Sequence, residues 1–215
     1  MPRMKALPDN EVLEEALRLI HARGPDALTF ASLSEACGLS PATLVQRFKG
    51  KADLTRAALS LAWDQLDART ERLAREMPPT PQGAIDLLIG LSGDYGGIEA
   101  YAEGLLVLRE DFRDPVLRAR GAAWKAVLVR ALDARFAEAP GASPDIGLLM
   151  ASVWQGSLLW WAFDPSERLD RHVAATLRCF VAAMAPRGYQ PSPGRSFPAP
   201  SAADLWWPAP GSCDG

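Results

Sequence analysis

Cysteine, histidine and net charge are all scarce in this chain, and each scarcity excludes a class of function. The three cysteines, Cys37, Cys179 and Cys213, are odd in number, widely spaced and without metal-ligand spacing, and only His21 and His172 could assist them. No disulfide framework and no metal site are expected, and a reduced, cytoplasmic setting suits free thiols. The formal net charge is only -3, from 23 basic and 26 acidic residues, so the chain cannot coat nucleic acid by bulk attraction. Contact with nucleic acid would need a local basic patch. The first ten residues lack the apolar run of an export signal, so the chain is expected to stay inside the cell.

Catalytic signatures are missing as well. Neither histidine has sequence neighbours resembling a triad or a ligand set, and phosphate-loop and dinucleotide fingerprints are absent. Glu110 and Asp111 read as a solvated acidic cluster rather than a catalytic carboxylate pair. No enzyme and no cofactor are expected.

What is present is helical. Hydrophobic residues make up 48% of the chain, apolar positions recur at helical spacing, and no stretch sustains the alternation of a half-buried strand. The expected fold is all-α, with an N-terminal three-helix module over residues 1–56, a larger helical domain over 57–185, and a Pro-rich tail over 186–215. The tail has no helical period and reads as flexible; its Leu205-Trp206-Trp207 run is either stray aromatics or a partner-binding motif.

The N-terminal module is the most specific part. A first helix after Pro8 places Val12, Leu13, Ala16, Leu17 and Ile20 on one face and stops at Gly24-Pro25. A short second helix, capped by Thr29 and ended by Gly38, puts Leu33, Ala36 and Cys37 inward. Ser40 as N-cap with Pro41 at the first position opens a third helix running to Lys49. Two short helices so tightly joined form a helix-turn-helix candidate. At about 100° per residue, Leu44 and Phe48 share one face of the third helix, while Ala42, Thr43, Gln46 and Lys49 face away, with Val45 and Arg47 on the flank. Gln, Arg and methyl groups are the side chains that read adenine, guanine and thymine edges in a major groove. Arg47, Lys49, Lys51 and Arg56 stand against Asp53 alone between Leu39 and Arg56, giving a local positive balance.

The segment from Gly24 to Leu54 also resembles the signature of the TetR family of transcriptional regulators. Its marks are Gly24, Leu28-Thr29, Gly38-Leu39-Ser40, Thr43-Leu44, Phe48, Lys51 and Leu54, which are jointly specific. The likeness is strong over about residues 12–59 and architectural beyond. It implies a homodimer whose third helices enter successive major grooves of a double-stranded, palindromic DNA operator, acting as a repressor that a small-molecule effector releases. By that resemblance Thr29, Ser40, Thr43 and Lys51 inherit DNA-contact roles, with Pro41, Ala42, Gln46 and Arg47 at the reading positions. One departure stands out: Val45 occupies a place where the family usually has a Tyr that touches the DNA backbone.

In the larger domain, Ile146–Phe163 carries no formal charge and must be buried all round. A membrane span is the lesser reading, since Ser152, Gln155, Gly156 and Ser157 interrupt it and no Lys or Arg flanks it. Burial is expected against its own domain on one face and across a two-fold axis on the other, the last helix completing a four-helix interface; the rival reading is a wholly internal helix in a monomer. The expected interface residues are Trp154, Leu158, Trp161, Leu169, Val173, Leu177, Phe180, Val181 and Met184. Concentrated aromatics point to an apolar or aromatic effector, with Trp63, Tyr95, Tyr101, Phe112, Trp124 and Trp154 as candidate contacts and Gln155 and Ser157 as orienting polar groups. Against the regulator stand two other readings: a helical protein-interaction module, or a small-molecule-binding enzyme that ignores DNA.

Overall fold

The computed structural model describes residues 7–93, 97–139 and 141–184. Among the described residues there are nine α-helices, one 3-10 turn and no strand. They run as α1 (Asp9–Arg23), the 3-10 turn Pro25–Ala27, α2 (Phe30–Cys37), α3 (Pro41–Phe48), α4 (Lys51–Glu76), α5 (Pro81–Ser92), α6 (Ile98–Arg113), α7 (Pro115–Asp133), α8 (Ile146–Phe163) and α9 (Leu169–Met184). The Pro-rich tail with Trp206 and Trp207, and the aromatic candidate Tyr95, lie outside the described residues.

Local chemistry explains the short helices. Thr29 accepts the Ser32 N–H at 3.0 Å while Ser32 Oγ accepts the Thr29 N–H at 3.0 Å, so two first-turn donors of α2 are satisfied reciprocally. Gly38 ends α2 in the left-handed conformation at φ 72°, which a Cβ would oppose, and Ser34 Oγ donates to the Leu39 carbonyl at 2.7 Å across the same turn. Ser40 then accepts the Thr43 N–H at 3.2 Å and starts α3. Within α2, Leu33 is buried and Cys37 half-buried, but Ala36 is exposed, contrary to the inward place expected for it. An eight-residue helix buries only the narrow stripe that meets its neighbours.

Two hydrophobic clusters result. The first joins Val12, Ala16, Leu17 and Ile20 of α1 to Leu33, Leu44, Phe48 and the start of α4 at Leu54, Ala58 and Leu59, with Leu117 of α7 reaching in. The second takes α5, the ends of α4 and α7, α8 and α9 around Leu87, Leu88, Leu132, Met150, Trp154 and Leu177. Packing thus changes over along α4 after Leu59, somewhat beyond the boundary expected at residue 56.

Helix α7 stops at Asp133, and the next residues turn inward for a reason. Arg135, only 5% exposed, donates to the Ala74 carbonyl at 2.8 Å and the Met77 carbonyl at 3.2 Å, filling acceptors that the end of α4 leaves open. Asp133 does the converse for α8: its carboxylate accepts the Gly147 N–H at 2.7 Å, replacing the side-chain cap that Asp145 does not supply.

The charge-free helix α8 is not buried all round within the chain. Met150, Ala151, Trp154, Ser157, Leu158 and Trp161 face the core, whereas Leu149, Trp160 and Phe163 are 43%, 70% and 76% exposed. It is also the one helix among the described residues long and apolar enough to cross a membrane, with 44% of the span buried inside the chain. The half-burial corrects the expected interface residues. Trp154, Leu158, Trp161, Val173 and Leu177 are already packed in the chain's own core, at 5% exposure or less, and so have no surface to offer a second copy. Leu169, Phe180, Val181 and Met184 keep partial exposure beside them.

Gly147 marks the closest approach of α7 and α8. A Cβ there would lie 2.5 Å from both the Val129 carbonyl oxygen and Asp133 Oδ1. Gly147→Ala should therefore destabilise the chain by about 1–3 kcal/mol. A helix interior without such crowding would gain roughly 0.5–1 kcal/mol from the same change. Urea unfolding of the two forms reads the sign, and a more stable variant would contradict this packing.

Candidate nucleic-acid interface and cavity

The outer side of α3 is a short, uncovered surface. Leu44 is fully buried and Phe48 nearly so, and they anchor the helix from beneath. Pro41, Ala42, Val45, Gln46 and Lys49 are exposed and Thr43 is half-buried. Thr29, Ser40 and Lys51 are exposed around them. The sequence-derived group thus comes together on one face, with Ser40 Oγ 2.9 Å from Thr43 Oγ1 and Lys51 Nζ donating to the Asp26 carbonyl at 3.2 Å.

Arg47 departs from its expected place. Its Nη1 donates to the Leu7 carbonyl at 2.7 Å and pairs with Asp9 Oδ1 at 3.2 Å, so the guanidinium binds the start of α1 and is spent on holding the module together. On the helical flank of α3 a long side chain can swing either way, and the chain at the start of α1 presents the Leu7 carbonyl just before the helix and the Asp9 carboxylate within it. The positive balance counted along the sequence shrinks for the same reason. Arg56 Nε meets Asp114 Oδ2 at 2.6 Å and its Nη1 meets Asp53 Oδ1 at 3.0 Å, which leaves Lys49 and Lys51 as the charges nearest the α3 surface. Val45 is 43% exposed, an apolar side chain at the rim of a polar face.

Lys49 carries a further local feature. It has φ 61°, the only positive value at a non-glycine among the described residues, and the Gly50 N–H donates to the Phe48 carbonyl at 2.6 Å over it. That tight reversal sets the angle between α3 and α4 and turns the Lys49 side chain outward.

Behind this module lies a cavity of about 370 Å³ between α1, α4, α5, α6, α7 and α8. It brings together five expected contacts, Trp63, Tyr101, Trp124, Trp154 and Gln155. Two do not join them: Phe112 points away at 60% exposure, and Ser157 is buried with its hydroxyl donating to the Trp154 carbonyl at 2.7 Å. Trp63 and Trp124 rings lie 6.0 Å apart at 57°, and Trp124 and Trp154 lie 6.5 Å apart at 53°, so three indoles form a continuous tilted wall.

Sequence reasoning missed two polar residues of this cavity, His21 and Asp111. Asp111 is only 8% exposed, not part of a solvated cluster, and Oδ1 accepts the Trp63 Nε1–H at 3.0 Å. Burial raises its pKa, and the charge of Glu110 adds to that, while the Trp63 hydrogen bond opposes both. The run Arg109-Glu110-Asp111 looks uniformly polar; the signal was the helical phase of Asp111, which matches Tyr101, Gly104 and Leu108 rather than Arg109. His21 sits at the rim on α1, and partial burial lowers its pKa.

The junction of α6 and α7 ties the cavity to the N-terminal module. Three residues after Asp111, Asp114 caps α7 by accepting the Val116 N–H at 2.8 Å and also holds Arg56 of α4. The Arg56 hydrogen bond, helped by the Val116 and Leu117 N–H groups, keeps the Asp114 carboxyl below its usual pKa. A depressed carboxylate stabilises the fold fully above its unfolded pKa, about 3.9, and loses that contribution as pH falls through the lower folded value. Asp114→Asn retains a capping side chain but no charge. Its melting temperature should fall below that of the parent at neutral pH, and the gap should close as pH drops below about 4. A gap that is constant with pH would mean that the ion pair contributes nothing.

Comparison with known proteins adds the following. Residues 12–58 match the family described as bacterial regulatory proteins, tetR family. No curated protein matches the chain. Among solved structures, PfmR of Thermus thermophilus, a TetR-family transcriptional regulator, is similar at TM-score 0.58 and 21% identity, covering 80% of this chain and 97% of that one. A candidate transcriptional regulator of Saccharomonospora viridis, solved with choline, gives TM-score 0.66 and 18% identity over 80% and 94% of the two chains. AibR, solved with isovaleryl coenzyme A and operator DNA, gives 0.58 and 19% over 82% and 96%. At these identities the likeness concerns the fold.

Proposed function

We infer that this chain, whose residues 12–58 match the family described as bacterial regulatory proteins, tetR family, is a ligand-responsive repressor of that family. It binds a palindromic DNA operator as a homodimer, and a small apolar or aromatic molecule in the cavity releases it. The observation that carries this reading is the outer face of α3, where Ala42, Val45 and Gln46 are exposed beside the half-buried Thr43 while Leu44 and Phe48 root the helix. A convex helix so presented fits a major groove. Thr29, Ser40 and Lys51 lie at helix starts, where hydroxyls, N–H groups and an ammonium suit phosphates. Lys49 joins them as a second exposed cation beside the groove.

Two copies are needed, because two reading heads about 34 Å apart hold a palindrome that one head binds weakly. The surface best suited to pair them is the exposed apolar face of α8, with Leu149, Trp160 and Phe163 around the small residues Ser152 and Gly156, flanked by Phe180, Val181 and Met184 of α9. An apolar patch of that kind favours a partner over water, and small residues at its centre allow helices to approach closely. Coverage by the same face of a second copy satisfies the self-complementarity of a two-fold interface.

Release follows from the shared walls. The cavity is bounded by His21 of α1 and by Leu59, Trp63 and Leu66 of α4. A guest that prefers a different spacing of α4 and α6 moves α1 and α3 with them, through the first hydrophobic cluster and the Arg56–Asp114 pair. A ligand acts only through differential affinity: about 100-fold between the two arrangements amounts to roughly 2.7 kcal/mol. AibR, bound to both an acyl coenzyme A and operator DNA, is a neighbour of the same fold in which both kinds of partner occur.

Retardation of the DNA upstream of its own gene should be retained at low salt and weaken steeply as salt rises. Lys51→Ala should weaken binding to all sequences and lower the salt slope by about one. Gln46→Ala should instead change the preference at one base position, by about 1–3 kcal/mol. Indistinguishable behaviour of the two variants would sink the division of roles, and failure to bind any fragment from a genomic pool would sink the regulator itself. Separately, Trp160→Asp should yield monomers in analytical ultracentrifugation and lose operator affinity; a dimer that survives this change pairs through some other face.

A further inference from the structure

The chemistry of the cavity wall goes further than an apolar or aromatic guest. We propose that the cavity takes an organic cation, a protonated or fully alkylated amine on an apolar or aromatic frame, with its charge held between Asp111 and the indole wall. This rests on the cavity being the effector site but not on any property of the DNA face.

Three observations converge. The first is the inventory of charge: among the described residues no lysine or arginine lines the cavity, and apart from the Tyr101 phenol the titratable wall residues among them are Asp111 and His21. His21 is solvent-exposed at the rim, and desolvation on its cavity side lowers its imidazole pKa, which favours the neutral ring. The second is that Asp111 lacks a cation. It is nine-tenths buried, its hydrogen-bond partner is the neutral Trp63 N–H, and among the described residues it has no ion pair, while Glu110 beside it is a like charge. A desolvated carboxylate so placed is stabilised by any guest that brings a compensating positive charge.

The third observation concerns the indoles. Each N–H on the wall is already used: Trp63 on Asp111, Trp124 on Thr70 Oγ1 at 2.9 Å, and Trp154 on Ser92 Oγ at 2.9 Å. Thr70 and Ser92 are themselves fixed, each donating at 2.8 Å to a carbonyl of its own helix, at Leu66 and Leu88. With these donors spent, what the rings offer a guest is π surface, whose negative face attracts cations and repels anions. An anionic guest would meet a carboxylate and the aromatic rings with, among the described residues, no cationic side chain to receive it and with the Gln155 amide and Tyr101 phenol as neutral donors. The volume of about 370 Å³ falls at the small end of ligand cavities, which fits a compact amine.

Equilibrium dialysis of the full chain against three probes on one phenyl frame tests this: phenyltrimethylammonium, its isosteric neutral carbon counterpart tert-butylbenzene, and the anion 4-tert-butylbenzoate. The cation should bind at least tenfold more tightly than the neutral probe, and the benzoate most weakly. Asp111→Asn should remove most of the cation's advantage while leaving tert-butylbenzene within about twofold of its original affinity, and Asp111→Glu should retain part of it. The inference is overturned if the neutral or anionic probe binds the unaltered chain as tightly as the cation, if a folded Asp111→Asn protein keeps the full preference, or if none of the probes binds in the millimolar range. Should Asp111→Asn fail to fold, the comparison of the three probes on the unaltered chain still decides. DNA retardation is independent of this readout. A chain that binds the cation and no DNA would lose only the regulator reading, and one that binds DNA but no cation would lose only this inference.

Discussion

One helix takes part in both halves of the molecule, and its continuity constrains everything else. The first turns of α4 are buried with α1, α2 and α3 through Leu54, Ala58 and Leu59. Its end is buried with the larger bundle at Leu73, where Arg135 seals its last carbonyls. A single helix of 26 residues cannot bend sharply without proline or a lost hydrogen bond, and none of its residues is proline. Displacement at one end is therefore felt at the other. The middle of the helix contributes Leu59, Trp63 and Leu66 to the cavity, so the cavity wall and the support beneath the α3 module share one continuous helix.

Buried polar groups in the larger domain act mainly as fasteners between helices. Thr70 accepts from Trp124 and so ties α4 to α7; Ser92 accepts from Trp154 and ties α5 to α8. Asp133 holds the start of α8, and Arg135 holds the end of α4. Each satisfies a donor or acceptor that would be costly to bury alone, and each fixes a relative position of two helices that apolar packing leaves free to slide. Asp111 differs from the rest. Its hydrogen bond to Trp63 ties α6 to α4, yet burial and the neighbouring Glu110 raise its pKa and among the described residues it has no ion pair, so a structural tie is combined with a carboxyl whose charge is poorly compensated.

Much of this arrangement was legible in the order of residues. The Ser40-Pro41 start of α3, the glycine stop after α2 and the Leu44/Phe48 anchor follow from local rules with a reach of a few residues, and the structure has them there. The aromatic wall was legible as a concentration of tryptophan, and five of the expected contacts meet. Arg47 was not legible: both faces flanking α3 could hold a guanidinium, and the choice depends on Leu7 and Asp9, some forty positions away in the chain. Asp111 was hidden by its charged neighbours, because burial on α6 is decided by what packs against that helix. The end of α7 depends on a comparable long-range choice, since Arg135 is drawn to the Ala74 and Met77 carbonyls rather than continuing the turn.

The amino-acid sequence by itself determined the helical character of the chain, the compact N-terminal module and which side of α3 is greasy, because caps, glycines and apolar period act over one or two turns. Only the tertiary structure decided which charges remain available and which are spent on other helices, that α8 buries one face and leaves the other apolar and open, and that a carboxylate enters an aromatic chamber. Those outcomes depend on distances between groups far apart in the chain, and pair energies at such distances vary with burial, a quantity that exists only once the helices have packed.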